Sequence, residues 1–199
     1  IVGVADVPDD TNFSLQYAMH NTGQTILGQS GTPDADIDAP EAWALHTGDF
    51  GTVTIAIIDS GVNPHLDFGT RLIPGRNTNN PLTPTLTTDG CPHGTHVAGI
   101  AAAGGNNLRG VAGVTWGAYI MPVRVLGTPD GCSGFVSQLA DGIKWAADNG
   151  ADVGNMSLQY YFNDQPQYNL LRDAINYAYD RGMILIAAAI MPSAKTHTT

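Results

Sequence analysis

The sequence predicts a three-layer α/β fold, a mainly parallel sheet with helices on both faces. Short aliphatic runs such as "TVTIAIID" and "AYIMPVRVL" read as strands buried on both sides. Segments with helical periodicity lie between those runs and stop at glycine or Asn-Gly. Strands and helices that alternate in this way build parallel sheets.

The first 38 residues are polar and rich in turn formers ("VPDDTN", "HNTGQ", "GQSGTPDAD"), and are expected to form an arm over the domain of residues 39–199. "DIDAPEAWALHTG" predicts a short helix capped by an aspartate, with Pro40 in its first turn. "TVTIAIID" is the first buried strand, and "HGTHVAGIAAAGG" a helix dense in small residues. "AYIMPVRVL" is the second strand. In "SGFVSQLADGIKWAADNG", Phe135, Leu139 and Ile143 at i, i+4 and i+8 predict an inward helix face. "ADVGNMSL", "NLLRDAINYAYDRG" and "MILIAAA" complete the series as strand, helix and strand. Function in such sheets gathers beyond the carboxyl ends of the strands, here after Ile58, Leu126, Met156 and Ala189.

The chain has 199 residues, 43% hydrophobic and 13% charged, enough for one well-formed core and unlike a disordered or fibrous sequence. The formal charge of −10, without a basic patch, excludes nucleic acid as an expected partner. No run reaches the roughly 18–20 apolar residues needed to cross a bilayer, so no membrane association is expected. "IVGVADVPDD" lacks a basic start and an apolar stretch, so the chain is either cytosolic or a mature form whose leader has been removed.

The first strand ends in "IIDSGV", placing Asp59 where the backbone leaves the sheet and Gly61 permits a sharp turn. An aspartate there either caps the turn or partners a base. His93 follows 34 residues later at the start of "HGTHVAG". A neutral imidazole beside a buried carboxylate is a general base poised near neutral pH. Gly94 lets another backbone come close, and His96 is expected in the core. A zinc helix would space its histidines i, i+4 around a glutamate, whereas here the spacing is i, i+3 around Gly-Thr. Cys91 and Cys132 are the only cysteines: two free thiols, a disulfide, or in Cys91 a nucleophile beside His93.

"AIIDSGV", "HGTHVAGI", "VRVL" and "NMSL", in that order and spacing from about Asp10 to Ala189, resemble the subtilisin-like serine proteases. The resemblance implies an endopeptidase with Asp59 and His93 as triad members, acting on polypeptide in extended conformation. It implies that Ser133 and Gly134 in "GCSGFVS" pair with substrate on the S4 side, and that Asn155, Ser157 and Leu158 in "NMSL" form the facing strand and S1 wall. Gln159 stands where the family usually has glycine beside S1. The cysteine placement is aqualysin-like, which implies a Cys91–Cys132 disulfide and a secreted, extracellular or periplasmic setting. "VPDDTNF", "HLDF" and "GGNNLRGVAG" resemble the parts of the family's strong calcium site. Asp10, Asp67 and Asn107 would supply side-chain oxygens, and Gly104, Arg109 and Val111 carbonyls.

The family pattern is lost after "LIAAA". Met191 stands at the position of the oxyanion asparagine, and no "GTSMA" serine motif occurs. Of Ser14, Ser30, Ser60, Ser133, Ser137, Ser157 and Ser193, none follows "GT" or sits in a strand-turn-helix elbow. Loss of a triad nucleophile costs about 2 × 10⁶ in kcat and of an oxyanion donor about 10²–10³. The expectation is therefore the N-terminal part of a catalytic domain, truncated and possessing Asp59 and His93 but no identified serine. Residues 190–199 altered by a frameshift, an inactive peptide-binding or structural relative, and an esterase acting through His93 are the readings that follow. Truncation would uncover a sheet face or edge and favour dimerisation.

Overall fold

Strand β3 (Thr54–Asp59) is the centre of the molecule, flanked on both sides by parallel neighbours. The computed structural model describes residues 7–48, 50–127, 131–160 and 164–189. Before β3 come a hairpin of β1 (Thr25–Ile26) and β2 (Gln29–Ser30) and the short helix α1 (Ala39–Trp43). After it come β4 (Arg76–Asn77), α2 (Gly94–Ala102), β5 (Tyr119–Arg124), α3 (Val136–Asp148), β6 (Val153–Met156), α4 (Gln165–Tyr179) and β7 (Ile184–Ala187). The sheet order is β4-β5-β3-β6-β7, parallel throughout.

The alternation of side chains along β3 divides the core in two. Ile58 and Ala56 join Leu139, Ala140, Ile143 and Ala146 of α3 and Ala174 and Ala178 of α4 on one face. Ile57 joins Ala98 and Ala102 of α2, with Val62 and Phe68, on the other. Helices therefore cover both faces, and the three-layer expectation holds. Each fully buried Ile or Leu contributes about 1.5–3 kcal/mol to this packing. A third cluster fastens the N-terminal segment: Phe13 and Met19 bury against Trp43, Ala112 and Trp116. Gln16 reinforces it by donating to the Ala112 carbonyl and accepting from the Ala112 N–H, both at 2.8 Å. No helix among the described residues is long and apolar enough to cross a membrane.

Several local expectations change. Phe135 is not on the inward face of α3: it is the residue before the helix, 68% exposed, and Leu139 and Ile143 carry the buried face. Gln138 reaches back to the Phe135 N–H at 2.7 Å, so a cap, rather than periodicity, sets the start of this helix. Asp38 precedes α1 in a left-handed conformation and makes no side-chain cap. It is Asp36 that orders this entry, accepting from the N–H groups of Asp38 (2.7 Å) and Asn21 (2.6 Å). Helix α4 starts four residues earlier than its apolar pattern indicated, because the Asp164 carboxylate accepts from the Gln167 N–H at 2.9 Å and Pro166 lies in the first turn.

Candidate active site

The parallel register places Asp59 at the carboxyl end of β3, beside Arg124 of β5. Its carboxylate is fully buried, and Oδ1 accepts from the Ser60 N–H at 2.7 Å. His93 approaches the same oxygen, Nδ1 to Oδ1 2.8 Å, while its side chain stays 49% exposed. The pair thus has a desolvated anionic end and a solvent-facing imidazole. Oδ2 of Asp59 is buried and has no hydrogen-bond partner among the described residues.

His93 can come this close because it immediately precedes α2 and is followed by glycine. A β-carbon on Gly94 would lie 2.2 Å from the Gly61 carbonyl oxygen and 3.1 Å from Asp59 Oδ1. Gly61 itself turns the chain with φ +104°. The expected close backbone approach at Gly94 is therefore present.

A network absent from the sequence reading fixes the two loops to each other. The Ser60 hydroxyl donates to Asp89 Oδ1 at 2.7 Å and accepts from the Gly94 N–H at 2.9 Å. Asp89 also accepts from the N–H groups of Cys91 (3.1 Å) and Thr95 (2.9 Å) and from the Thr95 hydroxyl (2.6 Å). Burial alone would raise the Asp89 carboxyl. The hydrogen bonds from Thr95, Ser60 and Cys91 together outweigh it and hold the group below the ordinary carboxylate value. Nothing in the local sequence around Asp89 links it to Ser60.

A cleft of about 640 Å³ opens beside His93. It is lined by Cys91, Pro92 and Leu126, by Cys132, Ser133 and Gly134 on one wall, and by Ser157, Leu158, Gln159 and Tyr160 on the other. The structure thus brings His93, Ser133, Gly134, Ser157 and Leu158 together. Asn155 does not line the cleft: it lies within β6, and its amide donates to the Ser157 hydroxyl at 3.0 Å. Cys91 and Cys132 form a disulfide, Cα–Cα 5.8 Å, tying the His93 loop to the Ser133 wall. Cys91 is therefore not a free thiol. Tyr160, which the sequence reading did not single out, donates its hydroxyl across the cleft to the Gly134 carbonyl at 2.7 Å.

The hydrogen bonds of the described residues give the His93 ring one partner, Asp59. Ser60 is buried and committed to Asp89. Met191 and Ser193 lie outside the described residues. His96 departs from expectation. It is exposed, lining with His65, Phe68 and Ile100 a second cavity of about 550 Å³ on the outer side of α2. A residue three positions after His93 points away from the core that Ala98 and Ala102 face.

Asp10 and Asp67, both buried, are brought to one loop, residues 104–111. Asp10 Oδ2 accepts from the Asn106 N–H at 2.7 Å, and Oδ1 is buried with no hydrogen-bond partner among the described residues. Burial raises the Asp10 carboxyl above its ordinary value, against the lowering effect of the Asn106 and Asn107 N–H groups. Asn107 donates to Asp67 Oδ1 (3.2 Å) and to the Gly104 carbonyl (3.1 Å). No group of three or more His, Cys, Asp or Glu side chains among the described residues is arranged to hold a metal ion.

Several known proteins are similar to this chain over most of its length. Residues 51–189 match the peptidase S8, or subtilase, family. The chain is 40% identical over 155 residues to thermitase of Thermoactinomyces vulgaris, covering 77% of this chain and 52% of that protein. It is 41% identical over 192 residues to a thermophilic serine proteinase of Bacillus sp. strain AK1 (95% and 42% covered). It is 33% identical to an extracellular protease of Xanthomonas campestris (92% and 34% covered). A solved protease structure from Pseudoalteromonas arctica superposes with a TM-score of 0.75 at 30% identity, covering 91% of this chain and 58% of that one. The chain thus spans between about a third and about half the length of these curated relatives.

Proposed function

The chain belongs to the subtilase family, and from that premise we propose that it supplies the acid–base part of a serine-type endopeptidase centre acting on extended polypeptide. The observation that carries this reading is the 2.8 Å contact between His93 and the fully buried Asp59 at the rim of a cleft. His93 would take the proton from an attacking hydroxyl as that oxygen bonds to the scissile carbonyl carbon. Asp59 would hold the ring by Nδ1 and stabilise the imidazolium, and the proton would pass to the departing amine. The walls around Ser133–Gly134 and Ser157–Leu158 would add the substrate as a strand between them.

The nucleophile is the unassigned part, since no described hydroxyl meets His93. Hydrolysis of casein and of p-nitrophenyl acetate by the parent and by His93→Ala separates the readings. Activity on both substrates, lost in His93→Ala, supports the endopeptidase. Ester cleavage alone, lost in the variant, supports an esterase centred on His93. Activity that survives the substitution overturns the role of His93. No activity on either substrate favours a peptide-binding relative.

Two further proposals attach to this reading. The Cys91–Cys132 disulfide suits an oxidising, extracellular setting, in keeping with the name of the Xanthomonas relative. Calcium fits the 104–111 loop as a structural ion. The buried Asp10 oxygen with no partner among the described residues and the buried Asp67 carboxylate are hard oxygen donors facing that loop, which adds the carbonyls of Arg109 and Val111. The Asn107 amide, whose nitrogen donates to Asp67 and to the Gly104 carbonyl and whose oxygen accepts from the Arg109 N–H, would have to turn over before it and Gly104 joined the shell. A hydrated divalent cation there would offset two desolvated carboxylates. Among the described residues β7 is the edge of the sheet, with Ile184 60% and Ile186 53% exposed, and we propose it as the contact of a self-associated dimer. Sedimentation velocity on Ile186→Lys protein tests this: a parent dimer that becomes monomeric supports it, and an unaltered association state overturns it.

A further inference from the structure

The two walls of the cleft are already joined by a hydrogen bond, and the groups it uses are those a guest strand would need. In the segment 133–135 the backbone groups on one side are committed to the protein. The Ser133 carbonyl accepts from the Gly127 N–H at 3.0 Å, and the Phe135 N–H donates to Gln138 at 2.7 Å. The Gly134 carbonyl shares a trans peptide with the Phe135 N–H and so points the opposite way from Gln138, in the cleft that Gly134 lines. Its carbonyl is the acceptor that the Tyr160 hydroxyl takes at 2.7 Å.

From this juxtaposition we infer that Tyr160 is a specificity-determining residue, a strut that competes with bound peptide for the Gly134 carbonyl and penalises peptides long enough to reach it. The inference rests on the reading of the cleft as a site for extended polypeptide. The Tyr160 ring packs against the main core cluster, which fixes the hydroxyl in place. Burial pushes its phenol up to about 12, so it remains a donor across the range in which the protein would work. A carbonyl has two lone pairs, so an incoming N–H can share the acceptor but binds it less well than if it were open. The strut therefore weakens long peptides without excluding them, and short peptides that stop before Gly134 do not feel it.

The test is an NMR titration of the 199-residue chain with acetylated, amidated alanine peptides of two and six residues. The parent is compared with Tyr160→Phe, which keeps the ring. Tyr160→Leu, which keeps an apolar filling, is the second variant, and melting curves establish that each is folded. The expected result is a Kd for the hexapeptide about threefold to tenfold lower in both variants, the worth of one neutral hydrogen bond, with the dipeptide Kd unchanged. An equal hexapeptide Kd in parent and variants overturns the inference and leaves the cleft reading intact. Weaker hexapeptide binding in the variants also overturns it, because the hydroxyl would then be a contact rather than a competitor. If neither peptide perturbs the resonances of residues 133–134 and 157–158 in any protein, the cleft reading fails and the strut fails with it.

Discussion

The Ser60 hydroxyl donates to the Asp89 carboxylate at 2.7 Å, joining the end of β3 to the loop that carries His93. Ser60 is the neighbour of Asp59, and Asp89 holds Thr95 two residues beyond His93. The Asp59–His93 geometry is thus set by groups on either side of the pair as well as by the pair itself.

Replacing Asp89 with Asn should lower stability at neutral pH by about 1.5–3 kcal/mol, the range for hydrogen bonds to a charged group. The pH dependence has a definite sign. The Asp89 carboxyl is depressed in the folded chain, so its contribution is present above the unfolded value of about 3.9 and is lost as pH falls through the lower folded value. Thermal melts from pH 6 to 2.5 should therefore show a smaller acid-induced fall in Tm for Asp89→Asn than for the parent.

Gly94→Ala should destabilise by about 1–3 kcal/mol, the usual cost of overpacking. The added carbon would lie 2.2 Å from the Gly61 carbonyl oxygen, a backbone atom that can yield only if the turn moves. Urea denaturation gives the loss. An Ala98→Gly control, in the same helix but without that clash, should cost only about 1 kcal/mol in helix propensity plus the methyl it removes.

Reduction of Cys91–Cys132, or replacement of both cysteines by serine, should cost about 3–4 kcal/mol by the chain-entropy estimate for a loop of this length. Urea midpoints with and without dithiothreitol measure it. The same treatment frees the His93 loop from the Ser133 wall, so peptide binding should weaken along with stability.

Calcium should raise Tm and EDTA should lower it. In Asp10→Asn, which retains an acceptor for the Asn106 N–H, the calcium increment should disappear while the melting temperature in EDTA stays close to the parent's. An EDTA-insensitive parent would remove calcium from the 104–111 loop.

Strands and helices with strong patterns were readable from the local order of apolar and polar residues alone. β3 is aliphatic on both faces because it lies between α2 and α3, and that burial leaves no polar positions to interrupt the run. The hairpin of β1 and β2 and the two-residue β4 were not readable, since a pairing that short has no periodicity. Phe135 misled because an apolar residue at the right spacing can equally be a helix cap in the open, and the Gln138 side chain decided between them. His96 misled because its neighbours are small and apolar, which says nothing about which face of α2 it occupies.

Asp59, His93 and the two cysteines stood out as chemistry-bearing residues because their motifs are short-range: a turn after a buried strand, and a helix start rich in glycine. Local propensity and burial periodicity suffice for that much. Which of those groups touch was settled only by the packing of α2 against β3, which brings residues 34 positions apart to 2.8 Å. The Ser60–Asp89 tie and the Tyr160–Gly134 strut likewise came from tertiary packing. Each is a hydrogen bond between segments 26 to 29 residues apart, and no local pattern encodes such a pairing, because its partners become neighbours only when the core beneath them has packed.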